Sequence, residues 1–184
     1  MTIAAKTRPK GKIFYGWWMV LASIPLCFYS GGTFFYGFGA FFNPILEEFG
    51  WSRAALSAAF SIQRFESGIA GPLVGFLADR VGPRKLIFIG TAITGLGFLM
   101  LSQVTALWQF YGGFVVISMG VALGTFMVIA TAVANWFVDS RGRAFAVLFT
   151  GYGASGALAP VLVWLIAQYG WRNSLIIIAL GTLL

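Results

Sequence analysis

Of the chain's 184 residues, 59% are hydrophobic and only 9% are charged, and the mean hydropathy is +0.88. A water-soluble domain carries about 25% charged residues, so this chain cannot cover itself with polar groups and must face lipid. The net charge of +7 and the pI near 10.0 do not point to nucleic acid, because the basic residues lie between apolar runs and not in a patch with interleaved stacking aromatics. Cys27 is the single cysteine and histidine is absent. A disulfide framework and a Cys/His metal site are thereby excluded, and the commonest proton shuttle is missing. Neither a metal nor a cofactor is expected.

In chain order, residues 1–14 form a basic N-terminus containing Lys6, Arg8, Lys10 and Lys12. A signal peptide also begins with basic residues, but its apolar core runs about 7–15 residues. Here no charge interrupts the chain from Ile13 to Leu46, so this is an uncleaved membrane span. A helix needs about 20 apolar residues to cross the hydrocarbon. That rule places spans at 15–42, 53–78, 86–102, 107–137 and 144–167 within a transmembrane bundle covering 15–184. Glu47 and Glu48 follow the first span, and Ser52 is placed to cap the second. Nothing is charged between Lys85 and Asp139, a run too long for one span and right for two joined by a tight turn. A sixth span starts at 174. At about 1.5 Å per residue, the stretch to 184 covers less than half of the hydrocarbon core and reads as an incomplete helix.

Orientation follows from the basic residues. Lys6, Arg8, Lys10, Lys12, Arg80, Arg84, Lys85, Arg141 and Arg143 fall on one side of the alternating pattern, and only Arg53 and Arg172 on the other. The expected location is a plasma (inner) membrane, with the N-terminus and the 79–85 loop cytoplasmic. Trp17, Trp18, Trp51, Trp108, Trp136 and Trp171 sit at span ends, as an aromatic belt requires. Two turns on the opposite side echo each other, Phe49-Gly50-Trp51 and Tyr169-Gly170-Trp171. Gly71-x-x-x-Gly75 and Gly120-x-x-x-Gly124 have the spacing that lets helix backbones approach closely. Pro25, Pro72 and Pro160 fall inside spans, where neighbouring groups can satisfy the carbonyls they leave free.

The loop after the second span reads Gly75-Phe-Leu-Ala-Asp79-Arg80-Val-Gly82-Pro-Arg84-Lys85. It resembles the G-x-L-x-D-R-x-G-R-K signature of the major facilitator superfamily, with Pro83 intruding before Arg84. Arg141-Gly142-Arg143-Ala144 looks like the superfamily's second loop element. Tyr15-Gly16-Trp17-Trp18, the Phe49–Arg53 turn, and Trp136-Phe137 followed by Arg141-Gly142-x-Ala144 resemble its monocarboxylate and oxalate–formate exchanger branch. Gly156 and Pro160 stand apart where drug–proton antiporters join Gly and Pro, which makes that branch the poorer match. The resemblance implies an all-α membrane protein, the N-terminal six-helix bundle of a major facilitator fold. It further implies a secondary active transporter of small organic anions, mono- or dicarboxylates, working by alternating access as symporter or antiporter. The implied partners are a small anionic substrate, membrane lipid and the C-terminal half of the same transporter. Gly75, Asp79, Arg80, Gly82, Arg84, Lys85, Arg141 and Gly142 would form a latch between the two halves, beyond their role in setting topology.

Arg64 lies near the middle of the second span, where a charge costs about 2.5–3.5 kcal/mol to insert and must face protein or water. At 100° per residue, Ser57, Ser61, Arg64, Gly68, Gly71 and Gly75 share one face. Two readings of Arg64 stay open: an anion-binding group, as transporters of this type place at mid-depth, or a member of a structural or gating ion pair. Glu66 points away from Arg64, since residues two apart do not meet on a helix, and is either paired with another helix or protonated. Tyr29, Thr33 and Tyr36 form a hydroxyl stripe on the first span, open between a water-facing wall and interhelical hydrogen bonds. The candidate substrate contacts are therefore Arg64, Ser61, Tyr29, Thr33 and Tyr36. No nucleophile–base pair, phosphate-binding glycine loop or metal cluster is visible, so the chain is not expected to be an enzyme. The alternatives are a membrane sensor or assembly protein on the same fold, and a facilitator-type transporter for a solute that is not a carboxylate.

Overall fold

The computed structural model describes residues 15–137 and 140–183, with only the backbone described for Tyr15, Ser67, Asp79 and Phe126. The basic N-terminus, the Asp79 carboxylate, Asp139 and Leu184 lie outside the described residues. Helix α1 (Tyr15–Ser30) runs through a π turn at Gly31–Tyr36 and a 3-10 turn at Phe38–Phe41 into α2 (Phe42–Phe49). There follow α3 (Arg53–Val81), α4 (Pro83–Ser102), α5 (Leu107–Gly124), α6 (Phe126–Trp136), α7 (Arg141–Ala154), a 3-10 turn at Ser155–Ala157 and α8 (Leu158–Leu183). No strand occurs among the described residues.

Among the described residues, four stretches are long and apolar enough to cross a membrane: Gly16–Phe49, Pro83–Ser102, Leu107–Trp136 and Arg141–Leu183. Helix α3 carries Arg64 and Glu66 in its middle, and its apolar stretch is the shorter Gly68–Ala78. The 43-residue stretch Arg141–Leu183 is folded in two at Gly170, whose φ of 77° and ψ of 161° break α8. One arm sets Leu162 against Gly37, and the other brings the Ile178 carbonyl to the Tyr29 hydroxyl at 2.9 Å. Turns after α2, α3, α4 and α6, together with Gly170, thus divide the described chain into six helical passes.

Helix ends follow backbone chemistry more than charge. The first pass continues beyond 42, through Glu47 and Glu48, and stops where Gly50 turns left-handed with φ 65° and ψ 19°. A carboxylate at a helix end can reach polar partners, so it need not end the helix. The Ser52 hydroxyl caps α3 by accepting from the Ala55 N–H at 3.1 Å. Helix α3 continues beyond 78 to Gly82, whose φ of 88° ends it, and Pro83 opens α4 at once, as fits a residue without an N–H to satisfy. The pass expected as one span at 107–137 is two helices, because Thr125 (φ −130°, ψ −123°) interrupts it.

The main core gathers Phe34, Phe38, Phe41, Leu56, Phe98, Leu101, Phe110, Phe114 and Leu175. Phe38 and Phe114 meet edge to face at 4.9 Å and 76°, the geometry aromatic quadrupoles favour. A second cluster of Val20, Cys27, Ile129, Val133, Ala144 and Leu148 joins α1, α6 and α7. The two glycine pairs behave differently. A Cβ on Gly120 would meet the Thr94 hydroxyl at 2.4 Å, and one on Gly124 the Gly90 carbonyl carbon at 2.8 Å, so α4 and α5 are in backbone contact. Gly71 and Gly75 have nothing within 4 Å of such a Cβ, which corrects the expectation of close packing there. Their face of α3, with Ser57, Ser61, Arg64 and Gly68, is uncovered by the described residues.

Candidate substrate cavity

Arg64 stands on the wall of a cavity of about 540 Å³ between α3, α5, α6 and α7. Gln63, Ser118, Thr125 and Tyr152 are its other polar lining groups, and Phe34, Phe35, Phe60 and Phe149 supply aromatic surface. The helical period puts Arg64 here. The stripe Leu56, Ala59, Val74 and Ala78 is buried against neighbouring helices, and Arg64 lies off that stripe, exposed. Among the described residues the one ion pair is Arg172–Glu48, far along the chain, and no carboxylate engages Arg64. An aromatic wall with one guanidinium that no described carboxylate engages can hold a carboxylate through paired, charge-assisted hydrogen bonds.

The other candidates are dispersed. Tyr29 and Thr33 line a second cavity of about 460 Å³, with Thr91, Thr94, Thr125 and Thr182. The hydroxyls there already donate to backbone carbonyls: Tyr29 to Ile178 at 2.9 Å, Thr33 to Tyr29 at 2.8 Å, Thr94 to Gly90 at 2.8 Å and Thr182 to Ile178 at 2.8 Å. Tyr29 is therefore an interhelical tie, and the Thr33 hydroxyl closes on its own helix. Tyr36 is half exposed and meets Tyr152, which lines the Arg64 cavity, with ring centroids 6.4 Å apart. Ser61 is exposed on α3 and lines neither cavity. The structure thus brings Arg64 near Tyr36 through Tyr152 and leaves Tyr29 and Thr33 on the other side of a wall formed by Phe34, Val121 and Thr125, which line both cavities.

Sequence reasoning named neither Gln63 nor Tyr152. Glu66 reaches across to α5, where the Ser118 hydroxyl meets its Oε2. Its Oε1 is buried without a hydrogen-bond partner.

At the Gly82 end, Arg80 lies over the Phe76 ring at 4.5 Å, and the Arg141 Nε–H donates to the Phe137 carbonyl at 3.0 Å. Arg84 and Lys85 are exposed on the first turn of α4. Nothing lies within 4 Å of a Cβ on Gly75, Gly82 or Gly142. At the Gly50 end, Glu48 receives the Trp171 Nε1–H at 2.6 Å and Arg172 at 2.8 Å. Arg172 also donates to the Val104 carbonyl at 3.2 Å, so three turns are clasped together.

Helices that are this apolar, reverse at alternating ends and enclose a cavity with a charged wall define a polytopic α-helical membrane protein. Residues 13–184 match the Major Facilitator Superfamily, and the chain belongs to that family. It is 31% identical over 174 residues to monocarboxylate transporter 13 of Rattus norvegicus, covering 89% of this chain and 39% of that protein. It is 31% identical over 137 residues to the oxalate:formate antiporter of Oxalobacter formigenes, covering 74% of this chain and 32% of the antiporter. Identity to the gallate transporter of Pseudomonas putida is 29% over 167 residues, covering 86% of this chain and 36% of the relative. The chain therefore spans less than half the length of each.

Proposed function

We propose that this bundle works within a secondary transporter of small organic anions, mono- or dicarboxylates, by alternating access. The observation that carries the reading is the Arg64 guanidinium, which lines the cavity without a carboxylate partner among the described residues. A charge inside a membrane helix is retained for a use, and an aromatic-lined cavity with one cation suits a small carboxylate. The names of the relatives lend support: a monocarboxylate transporter, an oxalate:formate antiporter and a gallate transporter all carry carboxylate cargo in their names. The wall opposite Arg64 would come from helices beyond this chain.

Arg64 variants of the full-length protein test it. Lysine keeps the charge and loses the planar fork, so Arg64→Lys should bind the anion about tenfold more weakly, a loss of about 1.4 kcal/mol. Arg64→Gln should be weaker still while protein abundance stays near wild type. If purified, folded Arg64→Gln binds the native anion as tightly as wild type, Arg64 belongs to a structural or gating pair and not to the substrate.

The latch reading of Gly75, Asp79, Arg80, Gly82, Arg84, Lys85, Arg141 and Gly142 belongs to the same proposal. Gly75, Asp79, Arg80, Gly82, Arg84 and Lys85 flank the α3–α4 turn and Arg141 and Gly142 open α7, and Asp79 lies about four helical turns along α3 from Arg64. Asp79→Asn in the full-length protein should therefore slow transport much more than it weakens binding. Normal transport at normal expression would leave the loop a topological role alone.

A further inference from the structure

The seam between α3 and α5 holds a carboxylate that the cavity reading leaves unused. Leu56, Ala59, Gln63, Glu66, Ala70, Val74 and Ala78 recur every three or four residues and form the side of α3 turned to its neighbours. Glu66 is the one acid on that stripe. The Ser118 Oγ lies in hydrogen-bond contact with Glu66 Oε2 and, at 3.0 Å, with the Val115 carbonyl. A hydroxyl has one proton and cannot donate to both. If Glu66 is ionised, Ser118 must turn its proton to the carboxylate and release Val115. If Oε2 carries a proton, Glu66 donates to Ser118, Ser118 donates to Val115, and every hydrogen bond the geometry offers is made. The buried Oε1 has no partner. As the carbonyl of an acid it is a modest desolvation cost, whereas half of a carboxylate charge there would be a large one.

No cation offsets an ionised Glu66 from the elements packed against it. On α5 the one titratable group is Tyr111, whose hydroxyl donates to the Ala55 carbonyl at 3.0 Å. Helix α6 has no titratable side chain, and α4 offers Arg84 and Lys85 only at its first turn. On α3 itself, Arg64 turns to the cavity, Arg53 and Arg80 lie at the helix ends, and the Asp79 side chain is outside the described residues. We propose that Glu66 and Ser118 form a proton-binding site in the α3–α5 seam, exchanging its single proton with the cavity through the wall at Ser118. Ser118 lines that cavity and touches the acid, so it joins the two. Loss of the proton rearranges the seam of the same helix that carries Arg64.

Infrared spectroscopy of the full-length protein in lipid tests this without any transport assay, so a wrong substrate class would leave the result untouched. At neutral pH the spectrum should contain a protonated-carboxyl carbonyl band that E66Q abolishes, that S118A shifts, and that fades as pH is raised. An E66Q spectrum superimposable on wild type in this region overturns the site. A band lost in E66Q yet constant at every pH makes Glu66 a fixed acid and overturns the exchange. Should E66Q fail to accumulate, S118A decides alone, because deleting the hydroxyl must move the band; an unmoved band overturns the proposal.

Discussion

At the scale of single residues, glycine does two kinds of work here. A Cβ built on Gly90 would lie 2.2 Å from the Gly124 amide nitrogen, whereas one on Gly112 would meet nothing within 4 Å. Gly90→Ala must therefore push α4 off α5 and cost about 1–3 kcal/mol of overpacking. Gly112→Ala should be neutral or stabilise by about 0.5–1 kcal/mol through the helix backbone. Thermal unfolding of the two variants in detergent checks the contrast, and equal midpoints would refute it. The same comparison marks the limit of reading spacing. Gly120 and Gly124 found a backbone partner and Gly71 and Gly75 did not, because a small-residue repeat permits close approach without naming what approaches. Arg64 was legible as the odd charge inside an apolar span. The Glu66–Ser118 contact was not, because it joins residues 52 apart in sequence and depends on the register of α3 against α5.

At the scale of elements, turns decide where helices stop, and the three positive-φ glycines among the described residues are not equivalent. Gly50 (φ 65°, ψ 19°) is left-handed helical, a conformation asparagine tolerates. Gly170 (φ 77°, ψ 161°) lies in the extended positive-φ region that is essentially confined to glycine. Neither has a neighbour within 4 Å of a Cβ, so the backbone alone sets the outcome. Gly50→Asn should cost less than about 1 kcal/mol and Gly170→Asn about 1–3 kcal/mol, measured as the drop in unfolding midpoint. Equal losses would mean that the clasp of Glu48, Trp171 and Arg172, and not the turn, fixes the reversal. Sequence showed these two turns as echoes of each other, Phe-Gly-Trp and Tyr-Gly-Trp, but the dihedrals behind the echo differ. The all-α membrane fold was readable from apolar runs and turn residues. The break at Thr125 was not, since no proline, glycine or charge occupies that position.

At the scale of the whole molecule, the charges sort the two ends. Arg80, Arg84, Lys85, Arg141 and Arg143 are exposed at the Gly82 end. At the Gly50 end stand Arg53 and Arg172, and Arg172 is held by Glu48 at 2.8 Å and by the Val104 carbonyl. The pairing sharpens the asymmetry seen in sequence, because a cation already engaged within the bundle contributes less to holding its loop on one side. Basic loops stay on the cytoplasmic side, so the Gly82 end is expected inside and the Gly50 end outside. Single cysteines in a Cys27→Ala background test this, the native thiol being buried at 1% exposure. Val81 and Gln103 are exposed beside the two opposite turns, and neither needs a positive φ. An impermeant maleimide added to intact cells should label Gln103→Cys at once and Val81→Cys only after the membrane is opened. Labelling of Val81→Cys from outside, with Gln103→Cys protected, would invert the molecule and place the Asp79–Lys85 loop where no cytoplasmic latch could form.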